Sequence, residues 1–442
     1  MQHHKTPLVL GLGITGLAVV RHLVRLGYKP VVLDTRANPL NLDVLQTEYP
    51  EVPYVLGEFV LPPIDTIHSI TISPGLPLDL PILETARAAG IPIYGELDWF
   101  VQAVGNAPVV GITGSNGKST VTTLVGLMAE ASGLKVGVGG NLGTAVLDLL
   151  APDVQVYVIE LSSFQLEALA AIPLRAAAFL NLSPDHLDRH GTLEAYIAAK
   201  AKIFEEAQAC IYNAADLNTM PAHHPVAYSF STTDTSDYGI AIESGEPWFY
   251  TPQGLLCPVK VCGLMGLHNA ENILAAIALG ERLALLPEAM VQVLSTFTGL
   301  PHRCQQVTIH QGVRWINDSK GTNVGACVAA LQGIGPQTQG KIILIAGGQA
   351  KGADLSPLTP VLAKYVCLLI TFGQDAEQLE AVAGTVDYQR VPTLEAAVAA
   401  AYKQAQSGDV VLLSPACASL DQFKNFEQRG ELFTDYVNHY CD

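Results

Sequence analysis

Pro108-Val-Val-Gly-Ile-Thr-Gly-Ser-Asn-Gly-Lys-Ser-Thr120 decides the fold. Residues 108–113 are apolar and β-branched, which predicts a buried strand. A glycine loop follows, and a helix is expected from Lys118 to about residue 131. Strand, glycine loop and helix in that order make a phosphate cradle. Glycines let backbone N–H groups turn into one concavity, and the helix N-terminus adds positive potential there. Lys118 can reach β- and γ-phosphates, and the Ser119 hydroxyl suits Mg²⁺. The usual spacing is not met, because position 112 is isoleucine. The match is to the shorter Gly-x-x-Gly-Lys-Ser-Thr. The motif argues for phosphate binding and leaves open what the nucleotide is used for.

The same strand-turn-helix theme recurs on both sides. Upstream, residues 8–10 read as a strand, Gly11-Leu-Gly-Ile-Thr-Gly16 as its turn and residues 17–26 as a helix. Residues 31–33 form the next strand, ending at Asp34-Thr-Arg36, and residues 70–73 another. Downstream, residues 154–160 and 176–180 are strands ending at Glu160 and Asn181. Residues 192–207 and 268–285 have helical periodicity, and residues 228–261 read as strands and turns on one flank. Residues 313–317, 341–346, 367–372 and 410–414 repeat the theme. Alternating strands and helices mean parallel α/β sheets. The expected division is 1–95, 96–299 and 300–442, the last opening near Leu300-Pro-His-Arg303. The first and third domains read as Rossmann-like, and the second as a P-loop-type ATPase.

The bulk chemistry agrees. Of 442 residues, 49% are hydrophobic and 15% charged, enough apolar material for a core in each domain. A net charge of −17 argues against nucleic acid or anionic membranes as partners. An anionic small molecule remains compatible, since amides, a lysine and Mg²⁺ reverse the sign inside a cleft. The eight cysteines form no C-x-x-C pair, so reduced thiols in the cytoplasm are expected. Glycines interrupt the apolar run after Lys5, which excludes a signal peptide, and no run is long enough to span a membrane. His3 and His4 are too few for a metal tract.

The loop Thr113-Gly-Ser-Asn-Gly-Lys-Ser-Thr120 resembles that of the Mur ligases of peptidoglycan synthesis. Further stretches carry the resemblance in order: Gly11–Gly16 with Asp34-Thr-Arg36, Gly139-Gly-Asn141, Ile159-Glu-Leu-Ser-Ser-Phe-Gln165 and Asp185-His-Leu-Asp188. Then come Leu300-Pro-His-Arg303, Asn317-Asp-Ser-Lys-Gly-Thr-Asn323 and Ser414-Pro-Ala-Cys-Ala-Ser-Leu-Asp-Gln-Phe-Lys-Asn-Phe426. The resemblance runs from about residue 7 to the C-terminus. It implies an ATP- and Mg²⁺-dependent ligase that joins D-glutamate to UDP-N-acetylmuramoyl-L-alanine through an acyl phosphate, acting as a monomer.

The resemblance also implies roles. The loop residues Gly114, Ser115, Asn116, Gly117, Lys118, Ser119 and Thr120 would hold ATP, with Asn272, Arg303, Asp318 and Lys320. Ile14, Thr15, Asp34, Thr35, Arg36, Ser73, Gly75, Asn141 and His186 would hold the UDP substrate. Thr322, Lys351, Ser419, Leu420 and Phe426 would form the D-glutamate pocket. Ser119, Glu160, His186 and a carbamylated Lys200 would serve two Mg²⁺ ions, and Lys118, Glu160, His186 and Lys200 would be catalytic. Beyond the loop and the Asp34 fingerprint, Glu160 stands out without the resemblance, as a carboxylate ending an apolar strand where α/β sites lie. Lys200 alone reads as a solvated helix lysine, and Cys417 as a buried bystander.

Rival readings remain at this point. Another Mur-type ligase or a folylpolyglutamate-synthase-like enzyme would share the ATP loop. Gly11–Gly16 with Asp34 fits a dinucleotide fingerprint, which favours an NAD-dependent oxidoreductase. A nucleotide sensor without catalysis is the third.

Overall fold

The computed structural model describes residues 5–233, 235–264 and 267–441, except the side chains of Asp188, Leu267 and His268. His3 and His4 lie outside the described residues. Three large sheets and one small one follow each other along the chain.

The first sheet is parallel, in the spatial order Tyr54–Leu56, Val31–Asp34, Thr6–Leu10, Ile67–Ile72, Ile93–Tyr94. The chain starts in the middle, winds to one edge and then returns to the other. The order therefore reverses between Thr6–Leu10 and Ile67–Ile72, and ligand crevices open at such points. Gly11 and Ser73 meet there, the Ser73 hydroxyl donating to Gly11 O at 3.1 Å. The first helix is Ile14–Arg25, three residues earlier than its apolar face suggests. Gly13 is extended and acts as the N-cap, so Ile14, Thr15 and Gly16 are already helical.

The second sheet is also parallel, in the order Ala227–Phe230, Cys210–Asn213, Ala176–Phe179, Val109–Thr113, Val156–Glu160, Val136–Gly140. The glycine-loop strand Val109–Thr113 is fully buried between two neighbours. Its carboxyl end lies between those of Val156–Glu160 and Ala176–Phe179, so Glu160 and Asn181 flank the loop. The helix Lys118–Ala131 has the expected bounds. The helix near Lys200 is shorter than expected: Leu193–Ala201 is α-helical, and Lys202–Phe204 tightens to one 3₁₀ turn. On the flank, Gly239–Glu243, Glu246–Thr251 and Gly254–Pro258 make an antiparallel sheet.

The third large sheet runs Gln305–His310, Val313–Asn317, Val410–Leu413, Ile342–Gly347, Val366–Phe372, Asp387–Arg390. Only Gln305–His310, at the edge, is antiparallel. Arg429 is fully buried beneath the carboxyl edge of this sheet. It donates to Ser319 O at 2.8 Å and Cys417 O at 3.1 Å, and so ties two site loops together.

The helix Glu96–Ala103 joins the first two cores. Trp99 Nε1 donates to Thr71 Oγ1 of the first sheet at 2.9 Å. Phe100 meets Tyr157 of the second sheet edge-on at 5.3 Å. Glu96 is 3% exposed and accepts from Leu147 N at 3.2 Å, at the turn Val146–Leu149. Burial, and then the neighbouring Asp148, push its carboxyl up to about 7.

A raised carboxylate contributes stability that is full below its unfolded pKa and is lost as pH rises through its folded pKa. For Glu96 the loss spans from the ordinary carboxylate range up to about 7. Glu96→Gln keeps the acceptor and removes the charge. Denaturation at several pH values should show the variant gaining on the parent from about pH 4.5 to 7, by on the order of 3 kcal/mol. Parallel pH profiles would contradict the assignment.

Candidate active site

The glycine loop owes its shape to Asn181. Asn181 O accepts from Ser115 N at 2.9 Å, and its side-chain oxygen accepts from Asn116 N at 2.8 Å. Its amide then donates to Asn116 O at 3.0 Å. The Ser115 hydroxyl donates to Ser183 O at 3.0 Å and lies 3.2 Å from the Tyr196 hydroxyl. The helix that follows has no side-chain cap. Its first internal bond is Val121 N to Gly117 O. The amides of Lys118, Ser119 and Thr120 therefore have no acceptor within the helix and face an anion site.

Gly117 makes this possible. Its φ is 81°, and a Cβ there would lie 2.2 Å from Asn272 Oδ1. Asn272 is buried against the loop and donates to Asn269 Oδ1 at 3.4 Å. Both line a cavity of about 240 Å³ with Leu264, Leu300 and Ala330, which suits a nucleobase beside the phosphates.

A second cavity, of about 200 Å³, lies on the other side of the loop. Lys118, Ser119, Asn141, Glu160, His186 and Lys200 converge on it, joined by Arg303, Lys320 and Thr322 from the third unit. Glu160 is 2% exposed. One of its oxygens accepts from Asn141 at 2.7 Å, while Oε2 is buried with no hydrogen-bond partner. Burial pushes this carboxyl up, but the Lys118 charge, the Asn141 bond, the neighbouring Ser119 hydroxyl and the Arg303 charge outweigh it and hold it below its ordinary range. A buried, ionised carboxylate with one oxygen unsatisfied fits a hard cation such as Mg²⁺. Among the described residues no three His, Cys, Asp or Glu side chains cluster as a metal cage.

Two lysines meet at one carbonyl. Lys118 Nζ donates to Gly114 O at 2.9 Å and Ser115 O at 3.0 Å. Lys200 is 2% exposed, and its Nζ donates to the same Gly114 O at 2.8 Å. Burial and then the Lys118 charge hold the Lys200 ammonium well below its usual range. Lys202 turns away, to Leu169 O at 2.7 Å. His186 has φ 54° and stacks edge-on to Phe164 at 4.9 Å. Burial lowers its pKa, opposed by Asp185 and reinforced by the Lys351 charge.

From the third unit, Arg303 Nη2 donates to Ser119 Oγ at 2.6 Å. Asp318 accepts from the Ser414 hydroxyl at 2.7 Å and Cys304 N at 3.2 Å, and burial pushes it up to about 6. Lys320 sits 3.8 Å over the Phe426 ring, and burial, then Arg303, bring it down to about 8. Ser419 is buried, whereas Lys351 and Leu420 are exposed at the rim. Lys351 has φ 53° and follows Gln349, which pairs with Ala418 beside Ser419. Cys417 is fully buried, and burial pushes its thiol up to about 12, which suits a bystander.

The remaining residues lie on the first unit, away from both cavities. Asp34 is saturated by its own chain: it accepts from Leu12 N at 2.7 Å, from Arg36 N at 2.8 Å and from the Arg36 guanidinium at 2.6 and 2.9 Å. Although burial opposes it, Arg36 draws Asp34 down to about 2. Dinucleotide enzymes use this acid as a ribose acceptor, and here it has no lone pair to spare. Arg36 remains half-exposed. Arg189 bridges to this unit by donating to Leu76 O at 3.0 Å.

Sequence reasoning missed Asn181, Tyr196 and Asn323 as site residues. Asn181 carried a signal, since it ends a strand beside the loop. Gly117→Ala tests the loop. The protein should stay folded, and calorimetry should show ATP affinity falling by at least about tenfold. Unchanged affinity would contradict the geometry.

Three domain descriptions match the chain. They are the Mur ligase MurD-like N-terminal domain over residues 5–95, the Mur ligase middle domain over 112–280, and the Mur ligase glutamate ligase domain over 302–417. The UDP-N-acetylmuramoylalanine–D-glutamate ligase of Legionella pneumophila (strain Lens) is 46% identical, covering 98% of this chain and 99% of its own. That of Pseudomonas aeruginosa PAO1 is 45% identical, covering 97% of each. Among solved structures, the UDP-N-acetylmuramate-alanine ligase MurC of Thermotoga maritima matches with TM-score 0.62 at 17% identity, over 99% of this chain and 100% of that one. A pseudomurein peptide ligase type C from Methanothermus fervidus matches with TM-score 0.64 at 18% identity, over 98% and 99%.

Proposed function

The chain belongs to the Mur ligase family, and from that premise we propose that it joins D-glutamate to UDP-N-acetylmuramoyl-L-alanine at the expense of ATP. It is an ATP-dependent ligase of peptidoglycan precursor synthesis. The observation that carries the reading is the convergence on one cavity of an uncapped phosphate loop, an unsatisfied carboxylate and cationic groups from another unit.

A carboxylate is a poor acyl donor because oxide would have to leave. In the first step a substrate carboxylate oxygen bonds to the γ-phosphorus of ATP. The bond from that phosphorus to the β–γ bridging oxygen breaks, and ADP departs. In the second step the D-glutamate nitrogen bonds to the carbonyl carbon. The carbon–oxygen bond to phosphate breaks and phosphate leaves, while the neutral amine gives up one of its two protons and keeps the other as the amide N–H. Catalysis of phosphoryl transfer is mostly positioning and charge stabilisation.

The chain's residues divide this work. The amides of Lys118, Ser119 and Thr120 receive phosphate oxygens, and Lys118 Nζ leaves Gly114 O for the β- and γ-phosphates. Arg303 and Lys320 bring positive charge from the other side. Asn272 and Asp318 hold the nucleoside. Glu160 and Ser119, with His186 and Lys200, would hold two Mg²⁺ ions, which when bound neutralise charge on the transferring phosphate. Ile14, Thr15, Thr35, Arg36, Ser73 and Gly75 hold the UDP substrate, Asp34 acting there through the Arg36 guanidinium it fixes, with Asn141 and His186 facing the reacting end. Thr322, Lys351, Ser419, Leu420 and Phe426 hold D-glutamate, Lys351 as a point charge on a carboxylate.

Lys200 fits carbamylation. Its depressed pKa favours the neutral amine, whose nitrogen can bond to CO₂ and release a proton. The carbamate anion would relieve the crowding of two ammonium groups at Gly114 O. Among the described residues no helix is long and apolar enough to cross a membrane. A cytoplasmic monomer fits these substrates.

Phosphate release should require D-glutamate when ATP, Mg²⁺ and UDP-N-acetylmuramoyl-L-alanine are present. Release with L-glutamate or diaminopimelate instead would overturn the substrate assignment. Nicotinamide fluorescence on binding would revive the oxidoreductase, and ATP binding without ADP release would revive the sensor. Lys200→Ala should be nearly inactive and regain activity with short carboxylates. Full activity in that variant would remove Lys200 from the mechanism.

A further inference from the structure

Asn323 is 8% exposed and begins the helix Val324–Ile334 of the third unit. Its side-chain oxygen accepts from Ala326 N at 2.9 Å, which caps the helix. The same oxygen lies 3.4 Å from Asn116 Nδ2, on the phosphate loop. Its amide nitrogen lies 3.4 Å from Asn116 Oδ1 and 3.2 Å from Asp185 Oδ2. A primary amide has two donors and two acceptor sites. All four are used here, three of them on the middle unit.

The neighbouring backbone is shaped for this approach. A Cβ on Gly325 would lie 2.3 Å from Ser183 Oγ and 3.6 Å from Asn116 Nδ2. Only a residue without a side chain lets the helix come this close. Ser183 in turn is bonded to the loop residue Ser115. Thr322, on the D-glutamate side, is the residue immediately before Asn323.

We infer that Asn323 is a positioning residue that locks the third unit onto the phosphate loop and the Ser183–Asp185 segment, with Gly325 admitting the contact. It sets the amine-bearing pocket in register with the γ-phosphate. Reacting atoms must come within about 3–3.5 Å, and a misplacement of about 1 Å can cost a hundredfold in rate. The inference rests on the ligase reading above.

The test separates locking from helix capping. Asn323→Ser keeps a capping oxygen but cannot span to Asn116 and Asp185. Steady-state kinetics should show kcat/KM for D-glutamate falling by about tenfold to a hundredfold. The melting midpoint should be unchanged, and UDP-N-acetylmuramoyl-L-alanine should bind as before. Gly325→Ala should show the same loss, and adding Ser183→Gly should recover much of it. Wild-type kinetics in Asn323→Ser would overturn the inference. So would equal losses of substrate binding and melting midpoint, or no recovery in the Gly325→Ala, Ser183→Gly pair. If the unmodified chain releases no phosphate with D-glutamate, the ligase reading itself fails.

Discussion

The three bonds of Asn181 to the glycine loop are the constraint on which the site depends. They fix the peptides of Ser115 and Asn116, and thereby aim the amides of Lys118, Ser119 and Thr120 into open space. Asn181 can do this because parallel pairing puts the end of Ala176–Phe179 beside the end of Val109–Thr113. Pairing on the other side delivers Glu160. The sheet order thus brings a donor array and an acid to one cavity.

Charge balance at the loop follows from burial. Lys118, Lys200, Arg303 and Glu160 share a space that excludes most water. Each ammonium is lowered by burial and by its like-charged neighbours, while Glu160 is kept ionised by them. Lys118 and Arg303 thus stand as cations beside the Glu160 carboxylate although the chain carries −17. An anionic nucleotide meets those cations locally, which is how an acidic protein takes an acidic substrate.

The parts legible in the sequence were those whose cause is local. The helix Lys118–Ala131 begins where glycine ends and the apolar period starts, so its bounds could be read directly. Glu160 was legible because a carboxylate closed an apolar strand. Lys200 was not, because its meaning lies in a carbonyl 86 positions away. Asn323 is separated from Asn116 by 207 positions, and no local pattern links them. The short strands Tyr54–Leu56 and Asp387–Arg390 lie at sheet edges and lack apolar alternation. Glu96–Ala103 was missed because it buries residues on two faces, one toward each of two sheets, which blurs its helical stripe.

In the proposed reaction the loop delivers a phosphoryl group to a substrate carboxylate. Oxygen isotope transfer tests this directly. UDP-N-acetylmuramoyl-L-alanine labelled with ¹⁸O in its alanine carboxylate would be turned over with ATP and D-glutamate. One ¹⁸O is expected in each phosphate released. Unlabelled phosphate alongside full amide formation would contradict it.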